Sequence, residues 1–457
     1  MIWSESLYQV CIISLGCPKN LVDSEVIAGH LAEGPFEIVP DPDGADYAVI
    51  NTCGFIESAQ RESLDTIEEI LGLKASGRLA GVIVVGCLVQ RFRRILKKEL
   101  PEVDAFLPIT DYSGVPRVLR ALSEGKHQRA LRCRGGGKRT SHTDLGRLLL
   151  TVPHVSYLRI AEGCNHRCSF CAIPAIRGRL KSKSMEVLEE EAKRLVASGV
   201  KEINLVAEDT TDYGRDLAGT YRLPLLLNRL GRIQGLRWIR LLYAYPSKIT
   251  ERLIVEMAEN PLVLEYIDMP IQHISPRILT SMRRGTSPDR IQKAVQALRQ
   301  RIPGIVLRTS VIIGYPGETD AEFQALYDFL EAVRFERLGA FPFSPEEGTA
   351  AFRLENRIPA GKIQERLERI MTLQKRIIRS RNKSLVGTTE EVIVDVVRRD
   401  GQAFGRTRAD APEIDCAVRL EPATALIPGT LIRARITGFS GYDLHATPVT
   451  GISDPRE

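Results

Sequence analysis

Apolar positions along the first 125 residues alternate between two rhythms. Tyr8 to Ser14 is an apolar run of strand length, and Asn20 to Leu31 repeats its apolar residues at helical spacing. Tyr47 to Asn51 is strand-like again, followed by a helical pattern from Ile56 to Leu71. Val82 to Val85 is a third apolar run, and the basic stretch from Gln90 to Leu100 has helical spacing. Strands alternating with helices predict a parallel sheet with crossover helices. The alternation resumes from Tyr157 to about Ala340. Its strand candidates are Tyr157 to Ile160, Glu202 to Val206, Trp238 to Leu242, Leu264 to Asp268, Val306 to Ile313 and Leu338 to Phe341. Helical patterns such as Val187 to Ser198 and Asp289 to Arg301 separate them. Six such units predict a partial (β/α) barrel, short of the eight that close one. Residues 361 to 385 form a basic helix leading out of that region. The remainder, rich in Val, Ile and Thr with turns at Arg399–Gly401, Pro428–Gly429 and Phe439–Gly441, predicts a small β-barrel or sandwich. No internal repeat is evident.

Composition fits this picture. A chain of 457 residues suggests about three domains. With 44% hydrophobic and 26% charged residues it is neither disordered nor collagen-like. No apolar run approaches the roughly 20 residues of a membrane span, and the first residues, MIWSESLYQVCIISLG, lack the basic flank and apolar core of a secretory signal. The expected location is therefore cytoplasmic. The net charge of +6 permits a nucleic-acid partner without arguing for one. It is unevenly spread. Residues 126–147 hold seven Lys or Arg against one Asp, with three consecutive glycines, and read as a linker or an RNA- or ribosome-contacting arm. From Ser384 to Glu457 there are 8 basic and 11 acidic residues. Domain boundaries follow at 8–125, 126–149 for the linker, 150–383 and 384–451.

Nine cysteines in such a chain are odd in number and point to metal or redox chemistry rather than disulfide staples. Cys164, Cys168 and Cys171 stand at spacings of four and three, directly after the first strand of the second domain. Soft thiolates at such spacing select zinc or iron–sulfur clusters. A [4Fe–4S] cube normally takes four cysteines, so three leave one iron open. The alternative is a Cys₃His zinc site using His166 or His154, but zinc motifs usually pair two close clusters and no second one follows. Cys17, Cys53 and Cys87 are far apart in sequence, yet each lies just past the carboxyl end of a predicted parallel strand, where an open α/β sheet binds ligands. Gly16, Gly54 and Gly86 each adjoin one of them and allow close backbone approach. Cys11 falls within the first strand as a core residue, and Cys133 and Cys416 belong to neither set.

The CxxxCxxC stretch with Phe170 before the third cysteine resembles the signature of radical S-adenosylmethionine enzymes. Two three-cysteine sets in this order, followed by a small β domain, resemble the methylthiotransferase family over nearly the whole chain. The resemblance implies an α/β N-terminal parallel-sheet domain, a central partial (β/α) radical S-adenosylmethionine barrel and a C-terminal antiparallel β-barrel of the TRAM type. It also implies two [4Fe–4S] clusters, on Cys164, Cys168 and Cys171 and on Cys17, Cys53 and Cys87, with S-adenosylmethionine as co-substrate. Gly163, Glu208, Gln272, Arg308 and Ser310 are the implied S-adenosylmethionine contacts, and Asp209, Thr210 and His273 lie beside them. Glu208 departs from the family's Gln-Asp-Thr pattern. SLGCPKNLVDSE at Ser14–Glu25, RLGAFPFSPEEGT at Arg337–Thr349, GRTRADAPEID at Gly405–Asp415 and GYDL at Gly441–Leu444 resemble the branch that modifies an aspartate of a small-subunit ribosomal protein. His445 stands where that branch often has Trp. The acidic last domain favours a basic ribosomal protein or ribosome as partner over RNA. The alternative is methylthiolation of a modified adenosine in tRNA. An electron donor of flavodoxin or ferredoxin type, a sulfur donor, a monomeric state and no membrane partner complete the expectation.

Overall fold

The computed structural model describes residues 7–126, 144–423 and 426–449. The basic linker with Cys133 lies mostly outside them. The chain divides into two compact units.

The first unit comprises Met1–Leu150, Ala161–Lys183 and Ser344–Phe352. Its five-stranded parallel sheet has the order β2-β1-β3-β4-β5, with β1 at Tyr8–Ser14, β2 at Phe36–Val39, β3 at Tyr47–Thr52, β4 at Gly81–Gly86 and β5 at Ala105–Pro108. Helices α1 (Pro18–Ala32), α2 (Glu57–Ala75) and α3 (Cys87–Glu99) connect them, and α4 (Val115–Ser123) follows β5. Val49, Ile83, Val85 and Leu107 pack on one face, and Ala48, Ile50, Val82, Val84 and Phe106 on the other. Both faces are thus covered, as a parallel sheet requires. Sequence periodicity predicts three of these strands, β1, β3 and β4. β2 and β5 are four residues each, too short to carry a period, and α3 begins at Cys87 rather than Gln90.

The second unit comprises Thr151–Ile160, Ser184–Phe343 and Arg353–Glu457. Six parallel strands lie in chain order: β6 (Val155–Arg159), β7 (Glu202–Val206), β8 (Trp238–Leu241), β9 (Val263–Asp268), β10 (Val306–Ile313) and β11 (Arg337–Pro342). All six anticipated strands are present and the sheet stays open between β6 and β11. After the helix Ala360–Leu385 comes a closed five-stranded barrel, order β12-β13-β14-β16-β15, with β12 at Thr389–Val397, β13 at Ala403–Thr407, β14 at Val418–Leu420, β15 at Leu431–Ser440 and β16 at Asp443–Pro448. An odd number of strands cannot alternate direction around a closed ring. Accordingly β14 and β16 pair in parallel, while the other pairs are antiparallel.

The Arg406–Asp415 segment of this barrel is held by one side chain from each of the six parallel strands. The Tyr157 hydroxyl donates to the Pro412 carbonyl, and Glu202 accepts from Arg406 at 2.7 Å. Arg240 donates to the Arg408 carbonyl at 2.9 Å, and the Tyr266 hydroxyl donates to Asp415 at 2.6 Å. Arg308 faces Asp415 and Arg337 pairs with Asp410. Asp395 pairs with His154 and Arg406. Part of the acidity counted in this domain, Asp395, Asp410 and Asp415, is therefore turned inward. The exposed charged residues of the described barrel are Arg398, Arg399, Arg433 and Arg435 against Asp400, Glu413, Glu421 and Asp443. Among those exposed residues the charges balance, which weakens the charge argument for a basic protein partner.

Candidate metal centre

Cys17, Cys53 and Cys87 each follow the carboxyl end of a neighbouring strand, β1, β3 and β4. Cys17 is the N-cap of α1, with Pro18 opening the helix. Cys87 is the first residue of α3, behind Gly86 at φ +103°. Helix N-termini favour the thiolate form. Burial pushes Cys87 up to about 12 and Cys53 up to about 11, and Cys17 lies close enough to add to both. Gly16, at φ +88°, shows how tight the edge is. A Cβ there would lie 2.7 Å from the Cys53 Cβ and 3.0 Å from its sulfur. Thiols at two helix starts, with Cys53 and Cys87 buried, around a cradle that only glycine leaves open, fit a metal cluster.

The polar residues of the SLGCPKNLVDSE stretch build the surroundings. The Asn20 amide donates to the Leu15 and Thr52 carbonyls at 3.1 Å each, tying the ends of β1 and β3. Its Oδ1 accepts from the Cys87 thiol at 3.4 Å and from Arg177 at 2.7 Å. Asp23 accepts from Arg177 at 2.8 Å and from the Tyr112 hydroxyl at 3.1 Å. Ser63 closes the third corner, accepting from the Cys53 amide at 3.0 Å.

Cys164, Cys168 and Cys171 belong to the same unit and are half-buried. Their loop is closed by a two-residue antiparallel ladder, Ala161 with Ser182 and Glu162 with Lys181. The Cys164 amide donates to the Gly178 carbonyl at 3.0 Å, and the Cys171 amide to the Cys168 carbonyl at 3.2 Å. Gly163, at φ +75°, lets this turn close, because a Cβ there would lie 2.3 Å from the Arg179 carbonyl oxygen. The chain then enters helix α5 (Ile173–Arg177), whose Ile176, with Ala172, packs into the core beneath the first sheet. The eight described cysteines are thiols, not disulfides. His154, considered as a zinc ligand, is buried against Asp395 at 2.9 Å.

The Ser344–Phe352 segment, inside the stretch singled out at Arg337–Thr349, also serves this unit. Buried Glu346 accepts from the Glu57 amide at 2.9 Å, from Gln60 at 2.8 Å and from Arg91 at 2.6 Å. Arg91 also donates to the Gly54 carbonyl beside Cys53 at 2.9 Å. The Ala351 amide donates to the Ser169 carbonyl inside the CxxxCxxC loop at 2.7 Å. One short segment thereby braces the loops of both cysteine sets.

In the second unit, Gln272 adopts φ +69° and joins β10, its amide donating to the Ser310 carbonyl at 2.9 Å and its carbonyl accepting from the Ile312 amide. Gln272 and Ser310 are thus brought together. Arg308 shares the Ser310 face of β10 but is engaged by Asp268 at 2.9 Å and Asp415 at 3.5 Å. Glu208 follows β7 and is half-buried. Its neighbour Asp209 accepts from the Thr211 amide and from Lys248 at 2.7 Å. His273 is a core imidazole: it is fully buried, its Nδ1 accepts from the Ser275 amide at 2.9 Å, and burial lowers its pKa to about 4. Arg177, Asn20, Asp23 and Glu346 were not anticipated. Asn20 and Asp23 lie in a stretch already marked, but nothing local in sequence signals Arg177.

An α/β sheet carrying three cysteines at its edge, a CxxxCxxC loop, six (β/α) units and a terminal barrel define a radical S-adenosylmethionine protein with an added cysteine-bearing domain. Family models match accordingly: Radical SAM superfamily over residues 158–330, Uncharacterized protein family UPF0004 over 9–108 and TRAM domain over 386–449. The chain belongs to the RimO family of methylthiotransferases and is a radical S-adenosylmethionine enzyme. It is 45% identical over 95% of its length to the "Ribosomal protein uS12 methylthiotransferase RimO" of Desulforamulus reducens, covering 98% of that protein. The proteins of the same name from Geobacter sulfurreducens and Clostridioides difficile are 43% and 41% identical, each over 96% of this chain and 98% of theirs. Among solved structures, the radical S-adenosylmethionine methyltransferase TsrM from Kitasatospora setae shares the fold, with a TM-score of 0.54 at 16% identity over 74% of this chain and 73% of its own. No helix among the described residues is long and apolar enough to cross a membrane.

Proposed function

We propose that this chain transfers a methylthio group to the β-carbon of an aspartate in ribosomal protein uS12, acting in the cytoplasm on two [4Fe–4S] clusters and S-adenosylmethionine. The observation that carries the reading is the gathering of Cys17, Cys53 and Cys87 at one sheet edge, in the same compact unit as the CxxxCxxC loop. The names of the relatives support uS12 over tRNA as target. Bound there, the clusters and S-adenosylmethionine supply the one-electron and sulfur-transfer chemistry that an unactivated carbon–hydrogen bond demands.

The chain's own residues hold and shape the sites. Cys164, Cys168 and Cys171 would hold one cluster, on a turn that Gly163 allows to close. Cys17, Cys53 and Cys87 ligate the other, with Asn20 fixing the strand ends that present them. In the sheet of the second unit, Glu208, Gln272 and Ser310 are assigned to S-adenosylmethionine, with Arg308 oriented by Asp268. The domains divide at 8–125, 150–383 and 384–451. An electron donor of flavodoxin or ferredoxin type and a sulfur donor complete the reaction. The enzyme works as a monomer.

Anaerobic iron analysis tests the ligand assignment. The intact chain is expected to hold about eight iron atoms, and either triple cysteine-to-alanine variant about four. One zinc without iron, or full iron after loss of Cys17, Cys53 and Cys87, overturns it.

A further inference from the structure

Arg177 closes helix α5, six residues beyond the CxxxCxxC loop, yet its guanidinium lies against the other cysteine set. Its side chain is 1% exposed. One nitrogen donates to Asn20 Oδ1 at 2.7 Å, to Asp23 Oδ2 at 2.8 Å and to Cys87 Sγ at 3.5 Å. The other donates to Glu162 Oε1 at 3.1 Å. Asp23 is fully buried and receives Tyr112 as well, so the guanidinium is fixed from two sides. Neutralising Asp23 alone would not require contact with sulfur.

Three thiolates brought into a buried edge carry negative charge that the interior must compensate. Arg177 brings a buried cation within 3.5 Å of the Cys87 sulfur. Hydrogen bonds to cluster sulfurs and nearby charge are recognised controls on cluster potential. We infer that Arg177 is a positioning residue for the cluster held by Cys17, Cys53 and Cys87, and that its charge and its hydrogen bond to Cys87 raise that cluster's reduction potential. The inference rests on the cluster assignment proposed above. Because Arg177 is joined to the CxxxCxxC loop through α5, packing of that loop also sets how the guanidinium meets Cys87.

The test uses the full chain carrying Cys164→Ala, Cys168→Ala and Cys171→Ala, so that only the second cluster remains, reconstituted anaerobically and titrated with reductant under electron paramagnetic resonance. Iron of about four per chain establishes the cluster independently of Arg177; no iron would sink the assignment itself. In this background Arg177→Gln is expected to lower the reduced-to-oxidised ratio at fixed potential at least tenfold, about 59 mV for a one-electron couple, and Arg177→Lys to restore most of it. Should Arg177→Gln fail to fold, Glu162→Gln decides. Its carboxylate is partly exposed, and removing that negative charge shifts the potential the opposite way, upward. Full iron with an unmoved potential in the folded variants overturns the inference.

Discussion

Glu202 is the buried junction between the six-stranded sheet and the terminal barrel. It is fully inaccessible and accepts from Arg240 at 2.9 Å and from Arg406 at 2.7 Å, the first also fully buried and the second nearly so. In Glu202→Gln the shape is kept and the charge is lost, leaving two guanidinium groups facing a neutral amide. Arg406 retains Asp395 at 2.8 Å, and Arg240 retains the Arg408 carbonyl and the Tyr266 ring 4.6 Å away. Breaking a buried ion pair from one side costs about 3–5 kcal/mol, in line with two charge-assisted hydrogen bonds of roughly 1.5–3 kcal/mol each, partly replaced. Across the second unit, an unfolding entropy of about 2.1 cal/mol/K per residue gives roughly 0.6 kcal/mol/K, so Tm should fall by about 5–9 °C. Differential scanning calorimetry measures this directly. Glu186→Gln, which removes an exposed partner of Arg229, is the control and should leave Tm within about 1 °C. A loss below about 2 °C in Glu202→Gln would refute the idea that this network fastens barrel to sheet. Adding Arg406→Gln to Glu202→Gln should cost less than the sum of the two single changes, because they share one contact.

Two further perturbations follow from the same geometry. His273 has its pKa lowered by burial to about 4, so the folded state binds fewer protons than the unfolded one. Its contribution is fully present above the unfolded value near 6.5 and is lost as pH falls through 4, a change approaching 3 kcal/mol; denaturant melts should show His273→Asn flattening that slope between pH 6.5 and 4, and an unchanged slope contradicts it. Gly16→Ala places a methyl 2.7 Å from the Cys53 Cβ at φ +88°, adding about 1–2 kcal/mol of backbone strain to the clash. Anaerobic iron content should fall towards half with the CxxxCxxC cluster intact, and full loading would show the edge to be less tight than described.

The gathering of three distant cysteines at one sheet edge was legible because strand ends can be read from local pattern. CxxxCxxC is read from spacing alone, and Cys17, Cys53 and Cys87 follow from the rule that ligands gather at the carboxyl ends of parallel strands. Arg177 and Glu346 were not legible, because their partners lie 157 and 289 positions away along the chain and no periodicity connects them. The terminal domain misled for another reason. Its acidic excess is real, but Asp395, Asp410 and Asp415 are spent on Arg406, Arg337 and Arg308 inside the protein, and a count over sequence cannot separate inward from outward charge. GRTRADAPEID is thus a segment that docks the barrel on the sheet. Short strands β2 and β5 escaped because four residues do not show a period of two.

Mass spectrometry of ribosomal protein uS12, from cells with this gene and from cells in which it is deleted, tests the central claim most directly. The account predicts that the aspartate peptide carries the increment of one methylthio group in the first and loses it in the second, and that the intact gene restores it where either triple cysteine variant does not. An increment that persists in the deletion while a methylthio group disappears from tRNA would contradict it.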